Sequence, residues 1–110
     1  LPTPEDPRLR RVTEALLADP ADQRDLAGWA IEAGASARTL ERAFLRETGM
    51  TFRAWRQQAR LLAALTALAG RRPVTQVALD LGYDSPSAFI AMFRRAFGVS
   101  PGRFFQARRY

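Results

Sequence analysis

The sequence predicts an all-α protein made of two helix-turn-helix lobes joined by a long central helix. Three observations point there. Apolar residues recur at helical spacing along most of the chain. Gly, Pro, Ser and Thr fall where helices would start and stop. A pattern in the first half then returns in the second at an offset of 48 to 49 residues.

The opening Leu1-Pro-Thr-Pro-Glu-Asp-Pro7 is Pro-rich and reads as the end of a linker. Leu9, Val12, Leu16 and Leu17 then share a face, predicting a helix from about Pro7 to Ala18. Asp19-Pro20 stops it, because a residue before proline is pushed out of the α region. A second helix is expected from about Asp22 to Gly34, with Leu26, Ala27, Trp29 and Ala30 as its apolar side. Ser36 is a good N-cap for a third, which carries Leu40 and Phe44 and closes at Gly49. Thr51 caps a long helix to about Ala69, ended by Gly70-Arg-Arg-Pro73.

From Val74 onward the pattern repeats. Val74, Ala78, Leu81 and Gly82 answer Leu26, Ala30, Ala33 and Gly34 at an offset of 48. Ser85, Phe89, Phe93 and Gly98 answer Ser36, Leu40, Phe44 and Gly49 at 49, so the extra residue falls in the turn. Each copy has a small residue inside its first helix (Ala30, Ala78), where two helices can cross closely, followed by a Gly-containing turn and a capped helix. That is a helix-turn-helix, whose second helix enters the major groove of DNA and reads base edges from its N-terminal residues. The domain layout expected is lobe one over about 8–50, a linker helix over about 51–69 and lobe two over about 73–108. A linker from Phe52 to Leu68 would be roughly 25 Å long, enough to place two reading helices about one DNA turn apart. The site would then be asymmetric, with no need for a dimer.

A chain of 110 residues with 47% hydrophobic content allows a modest core. Its longest apolar stretch, Leu61 to Ala69, is far short of the roughly 20 residues that span a membrane. Without cysteine there is no disulfide framework or thiolate site, and no secretory leader is visible, so the expected location is cytoplasmic. Because the first residue is Leu, the chain is expected to be part of a longer or processed protein. The net charge of +6 is uneven: residues 1–50 carry seven Arg against nine acids, residues 51–110 ten Arg against two. A Lys-free, Ala- and Arg-rich chain also fits a GC-rich genome, but the asymmetry implies a polyanion facing the second half.

Two runs resemble the AraC/XylS family of bacterial transcription regulators. The first is Leu26-Ala27, Gly34-Ala35-Ser36, Arg38-Thr39-Leu40-Glu41-Arg42-Ala43-Phe44 and Glu47-Thr48-Gly49. The second is Val77-Ala78, Leu81-Gly82-Tyr83, Ser85, Phe89, Phe93 and Phe97-Gly98-Val99-Ser100-Pro101. The likeness spans about Leu9 to Phe105. It implies a seven-helix, two-lobed DNA-binding domain, usually C-terminal to a sensor domain that is often a cupin-like barrel and that these residues lack. Double-stranded DNA is thus the expected partner, with RNA polymerase a second. An effector would bind the absent domain, this segment is expected to be monomeric, and no cofactor or metal is expected.

On the first reading helix, Leu40 and Phe44 turn inward and leave Arg38, Glu41 and Arg42 on the outer face. Positions matching these three commonly face the groove in the family. Arg38 and Arg42 suit guanine edges, while Glu41 either accepts from a cytosine amino group or orients an arginine. On the second, Phe89, Met92 and Phe93 take the core, leaving Ser87, Ile90 and Ala91, with Pro86, toward the groove. These are small or apolar where many family members are polar or basic. Pro86, Ile90 and Ala91 would meet thymine methyls, with Ser87 and Arg94 holding the backbone. Arg53, Arg56, Arg94, Arg95 and Arg103, with Ser36 and Thr39, are the expected phosphate contacts, against the ordinary reading of each arginine as a solvated surface charge. Trp29, Trp55, Phe52, Phe97 and Phe104 are expected in the core, with Tyr83 packing in the second turn. The absence of His and Cys removes the usual nucleophile-base pairs, so no enzyme is expected. The competing class is a helical protein-interaction or RNA-binding module.

Overall fold

The computed structural model describes residues 1–107, which form seven helices and no strand. They run α1 Pro7–Ala18, α2 Leu26–Ala33, α3 Ala37–Thr48, α4 Phe52–Ala69, α5 Val74–Asp80, α6 Pro86–Phe97 and α7 Pro101–Ala107. The end of the expected second lobe, residue 108, lies outside the described residues. The chain divides into two compact units, Leu1–Ala59 and one from Arg60 onward, with the boundary inside α4. That helix is therefore no bare linker: Phe52, Trp55 and Ala59 belong to the first core, Leu61, Ala64 and Leu68 to the second.

In the first unit, Leu9, Val12, Thr13 and Leu16 form the buried stripe of α1 at i, i+3, i+4, i+7. Leu17, expected inside, falls about 100° further round and is exposed. Helix α2 starts at Leu26, four residues later than expected. Asp25 is the true N-cap, accepting the Gly28 N–H at 2.9 Å, while Asp22 is drawn into an ion pair with Arg24. Its buried face is Leu26, Trp29 and Ala30, and Ala27 points out. The turn to α3 passes through Gly34 at φ +69°, a conformation a Cβ would penalise, and the Ala35 N–H closes it onto the Ala30 carbonyl at 3.2 Å. Ser36 accepts the Thr39 N–H at 3.1 Å and starts α3. Phe44, fully buried, meets Phe52 and Trp55 edge-on with ring centroids 5.9 and 6.0 Å away.

The opening segment is packed, not a free linker. Pro4 is buried, the Trp55 Nε1–H donates to the Pro2 carbonyl at 2.9 Å, and the Glu47 carboxylate accepts the N–H groups of Glu5 and Asp6 at 2.8 and 2.9 Å. Asp6 in turn caps α1 by accepting the Arg8 N–H. Glu47 thus does for the N-cap residue, from 41 positions away, what the glutamate of a capping box does from three. Glu47→Ala should cost about 1–2 kcal/mol of stability and speed hydrogen exchange at the Glu5 and Asp6 amides. Glu47→Gln, which keeps an acceptor oxygen, should cost clearly less. Exchange at those amides unchanged in the alanine variant would refute the contact.

The second unit repeats the plan. Gly82 at φ +85° makes the turn and the Tyr83 N–H closes onto the Ala78 carbonyl at 3.0 Å, the counterpart of the Ala35 to Ala30 bond. Ser85 caps α6 through the Ala88 N–H at 3.1 Å. An aromatic chain runs Tyr83, Phe89, Phe93, Phe97, Phe104 and Phe105 with successive centroids 4.6–6.0 Å apart. A staple also repeats, which the sequence reading missed. Arg24 pairs with Glu32 and Arg72 with Asp80, each across eight residues and each tying the segment before the first helix of a helix-turn-helix (α2 or α5) to that helix's end. Among the described residues no helix is long and apolar enough to cross a membrane.

Candidate nucleic-acid interface

Helix α3 presents the stripe that its periodicity requires. Leu40, Ala43, Phe44 and Thr48 are buried, while Arg38, Thr39, Glu41 and Arg42 are exposed. No ion pair joins Glu41 to Arg38 or Arg42 in the free protein, so all three side chains present their charge outward. Ser36 and Thr39 are coupled, with the Ser36 hydroxyl donating to Thr39 Oγ1 at 2.8 Å while accepting the Thr39 N–H.

Beside this stripe lies a cleft of about 570 Å³ that brings Glu41 and Arg42 together with Arg53 and Arg56 of α4. Leu26, Leu45 and Phe52 supply its apolar lining, and Asp25 and Thr51 complete it. Thr51 caps α4 by accepting the Ala54 N–H at 3.1 Å, so Arg53 projects from the first turn of an 18-residue helix. Arg56 is less free than expected. It is half-buried, donates from Nη1 to the Arg24 carbonyl at 3.0 Å and lies 5.2 Å from the Phe52 ring centroid. Leu45 in this cleft was not among the sequence candidates, although it stands at i+7 from Arg38 and is 52% exposed.

Helix α6 exposes Ser87, Ala91, Arg94 and Arg95. Ile90, expected on the groove face, is half-buried and packs in part against the second core, three residues from Phe93 on the same helix. Pro86 is half-buried as well. Arg94 and Arg95 lie in the last turn of α6, where the helix dipole favours cations. Arg103 is exposed on α7, its own N–H donating to the Ser100 hydroxyl at 3.3 Å.

Electrostatics elsewhere support the frame. The Arg24 guanidinium lies 3.6 Å from the Trp29 ring centroid and holds the Asp22 carboxyl below its ordinary range. Hydrogen bonds from Gln76, then Arg72, do the same for Asp80. Burial raises the Tyr83 hydroxyl against the opposing pull of Arg60 and Arg95, in keeping with a packed ring 5.4 Å from Phe89. Trp29 Nε1 is a buried donor without a partner. Among the described residues no group of acids, His or Cys is placed to hold a metal ion.

Residues 29–107 match the model of a family described as a helix-turn-helix domain. The same fold occurs in a probable AraC family transcriptional regulator from Rhodopseudomonas palustris CGA009, at TM-score 0.72 and 28% identity, covering 91% of this chain and 95% of that one. The chain belongs to the AraC-type helix-turn-helix family. The HTH-type transcriptional regulator NimR of Escherichia coli K12 is 41% identical to it over 104 residues, 94% of this chain. The chain spans only 38% of that relative's length. The DNA-binding domain of AdpA, a global transcriptional factor solved in complex with a target DNA, matches at TM-score 0.83 and 33% identity, covering 96% of this chain and 95% of that one.

Proposed function

We propose that this chain is the sequence-specific, double-stranded DNA-binding domain of a bacterial transcription regulator, with α3 and α6 as recognition helices in adjacent major grooves. The observation that carries the reading is the exposed Arg38, Glu41 and Arg42 stripe on a helix held by a glycine turn and a serine cap. The likeness to a domain solved on its target DNA supports it. Arg38 and Arg42 read guanine edges, while Glu41 accepts from cytosine or holds one of the arginines once DNA is bound. Ser87 and Ala91 face the second groove, Ile90 reaching it only from its margin. Ser36, Thr39, Arg53, Arg94, Arg95 and Arg103 hold phosphates, and Arg56 divides itself between phosphate and the Arg24 carbonyl. The boundary between the lobes falls within α4, and this segment acts as a monomer on an asymmetric site. In the full protein, a sensor domain would take the effector and RNA polymerase would be the second partner.

Titration of duplex DNA at increasing salt tests the reading. Five arginine clamps predict a log–log salt slope of about −4.5, a loss of several hundred-fold between about 50 and 200 mM. Duplex binding should show this slope. Absence of duplex binding at low salt would favour a protein-interaction module, and stronger binding to looped RNA an RNA-binding one.

A further inference from the structure

Leu45 lies two helical turns beyond Arg38 on the stripe that carries Glu41 and Arg42, and its side chain is 52% exposed. It lines the cleft shared by Glu41, Arg42 and Arg53. The repeat makes its position informative. At an offset of 49, Arg38 matches Ser87, Arg42 matches Ala91 and Leu45 matches Arg94. The α3 stripe opens on arginines where α6 carries the small Ser87 and Ala91, and in its last turn sets an exposed leucine beside Arg46 where α6 carries two arginines, Arg94 and Arg95. A leucine among arginines can hold no phosphate and gains nothing from water. The apolar group that base edges offer in the major groove is the C5-methyl of thymine. That methyl projects toward its own strand's backbone, which places it near a phosphate clamp such as Arg53.

We propose that Leu45 is a specificity-determining residue that packs on a thymine methyl at the far end of the first half-site. The inference rests on the reading of α3 as a recognition helix.

The test begins with in-vitro selection of the preferred duplex by the wild-type chain. Each thymine of the first half-site is then replaced singly by deoxyuridine, which removes only the methyl. At one position the wild type should lose about three- to fivefold in affinity, the worth of one buried methyl. Leu45→Ala should show almost no loss there, Leu45→Met should keep it, and other thymines should affect all three proteins alike. Equal losses in wild type and Leu45→Ala at every thymine overturn the proposal, as does a selected first half-site without a preferred thymine. Failure to select any duplex would overturn the recognition reading itself, before Leu45 is altered. Because Leu45 is half-exposed, equal melting temperatures are expected for the variants.

Discussion

Phe44→Ala is expected to cost about 3–5 kcal/mol of stability, the usual range for emptying a buried phenylalanine site. Phe44 is fully buried at the centre of the first core, edge-on to both Phe52 and Trp55. Both rings lie at the start of α4, and Trp55 is held from following the missing ring inward by its hydrogen bond to the Pro2 carbonyl. The void therefore stays largely open, and the loss sits at the upper part of the range. Against a total of about 5–15 kcal/mol for a small domain, most of the stability would go. Urea denaturation followed by tryptophan fluorescence is the fitting measurement, since Trp29 and Trp55 both lie in the first unit. The midpoint should fall sharply with little change in slope. Phe44→Leu should lose less than half as much. An alanine variant within about 1 kcal/mol of wild type would mean that this core is not packed as described.

How much was legible in the sequence depended on the range of the interaction. Helices α1, α3, α4 and α6 were readable because each is set by residues within four positions of its ends: Asp6 and Pro7, Ser36 and Gly49, Thr51, Ser85 and Gly98. The start of α2 was misplaced because two aspartates stand there: Asp22 is occupied by the Arg24 N–H and guanidinium, while Asp25 accepts the Gly28 N–H and caps. Leu1–Asp6 read as a linker because its anchors, Glu47 and Trp55, lie 41 to 53 residues away. The Arg–acid staples join a residue outside a helix to one near that helix's end, so the periodicity within a single element does not mark them. Their recurrence at the repeat offset of 48 was the one signal that could have found them. In the candidate interface, the charged part of the α3 stripe was legible from i, i+3, i+4 spacing. Leu45 was passed over because an apolar helical residue reads as core, and the half-burial of Ile90 was not legible because it depends on the aromatic cluster of the folded second unit.

The double variant Arg38→Ala, Arg42→Ala should abolish preference for the selected duplex while leaving the fold and the non-specific binding intact. Each guanidinium can make a bidentate contact with guanine O6 and N7, and its loss is expected to cost about 1–3 kcal/mol, or roughly five- to 150-fold. The two stand one helical turn apart with Glu41 between them on the same face, so their effects should not simply add. The combined loss should end where specific binding meets non-specific binding, typically about 10³-fold or more below the wild-type affinity. Both side chains are exposed and take part in none of the ion pairs seen in the free protein, so melting should not change. The salt slope separates reading from clamping. Arg38→Ala and Arg42→Ala should leave it nearly as it was, whereas Arg95→Ala should weaken every duplex alike and reduce it by about 0.9. If the double variant still distinguished the selected duplex from a scrambled one at close to the wild-type ratio, base recognition would have to come from another helix. The second unit would then be the reader despite the small, apolar face of α6, and the exposed charge on α3 would serve the backbone instead.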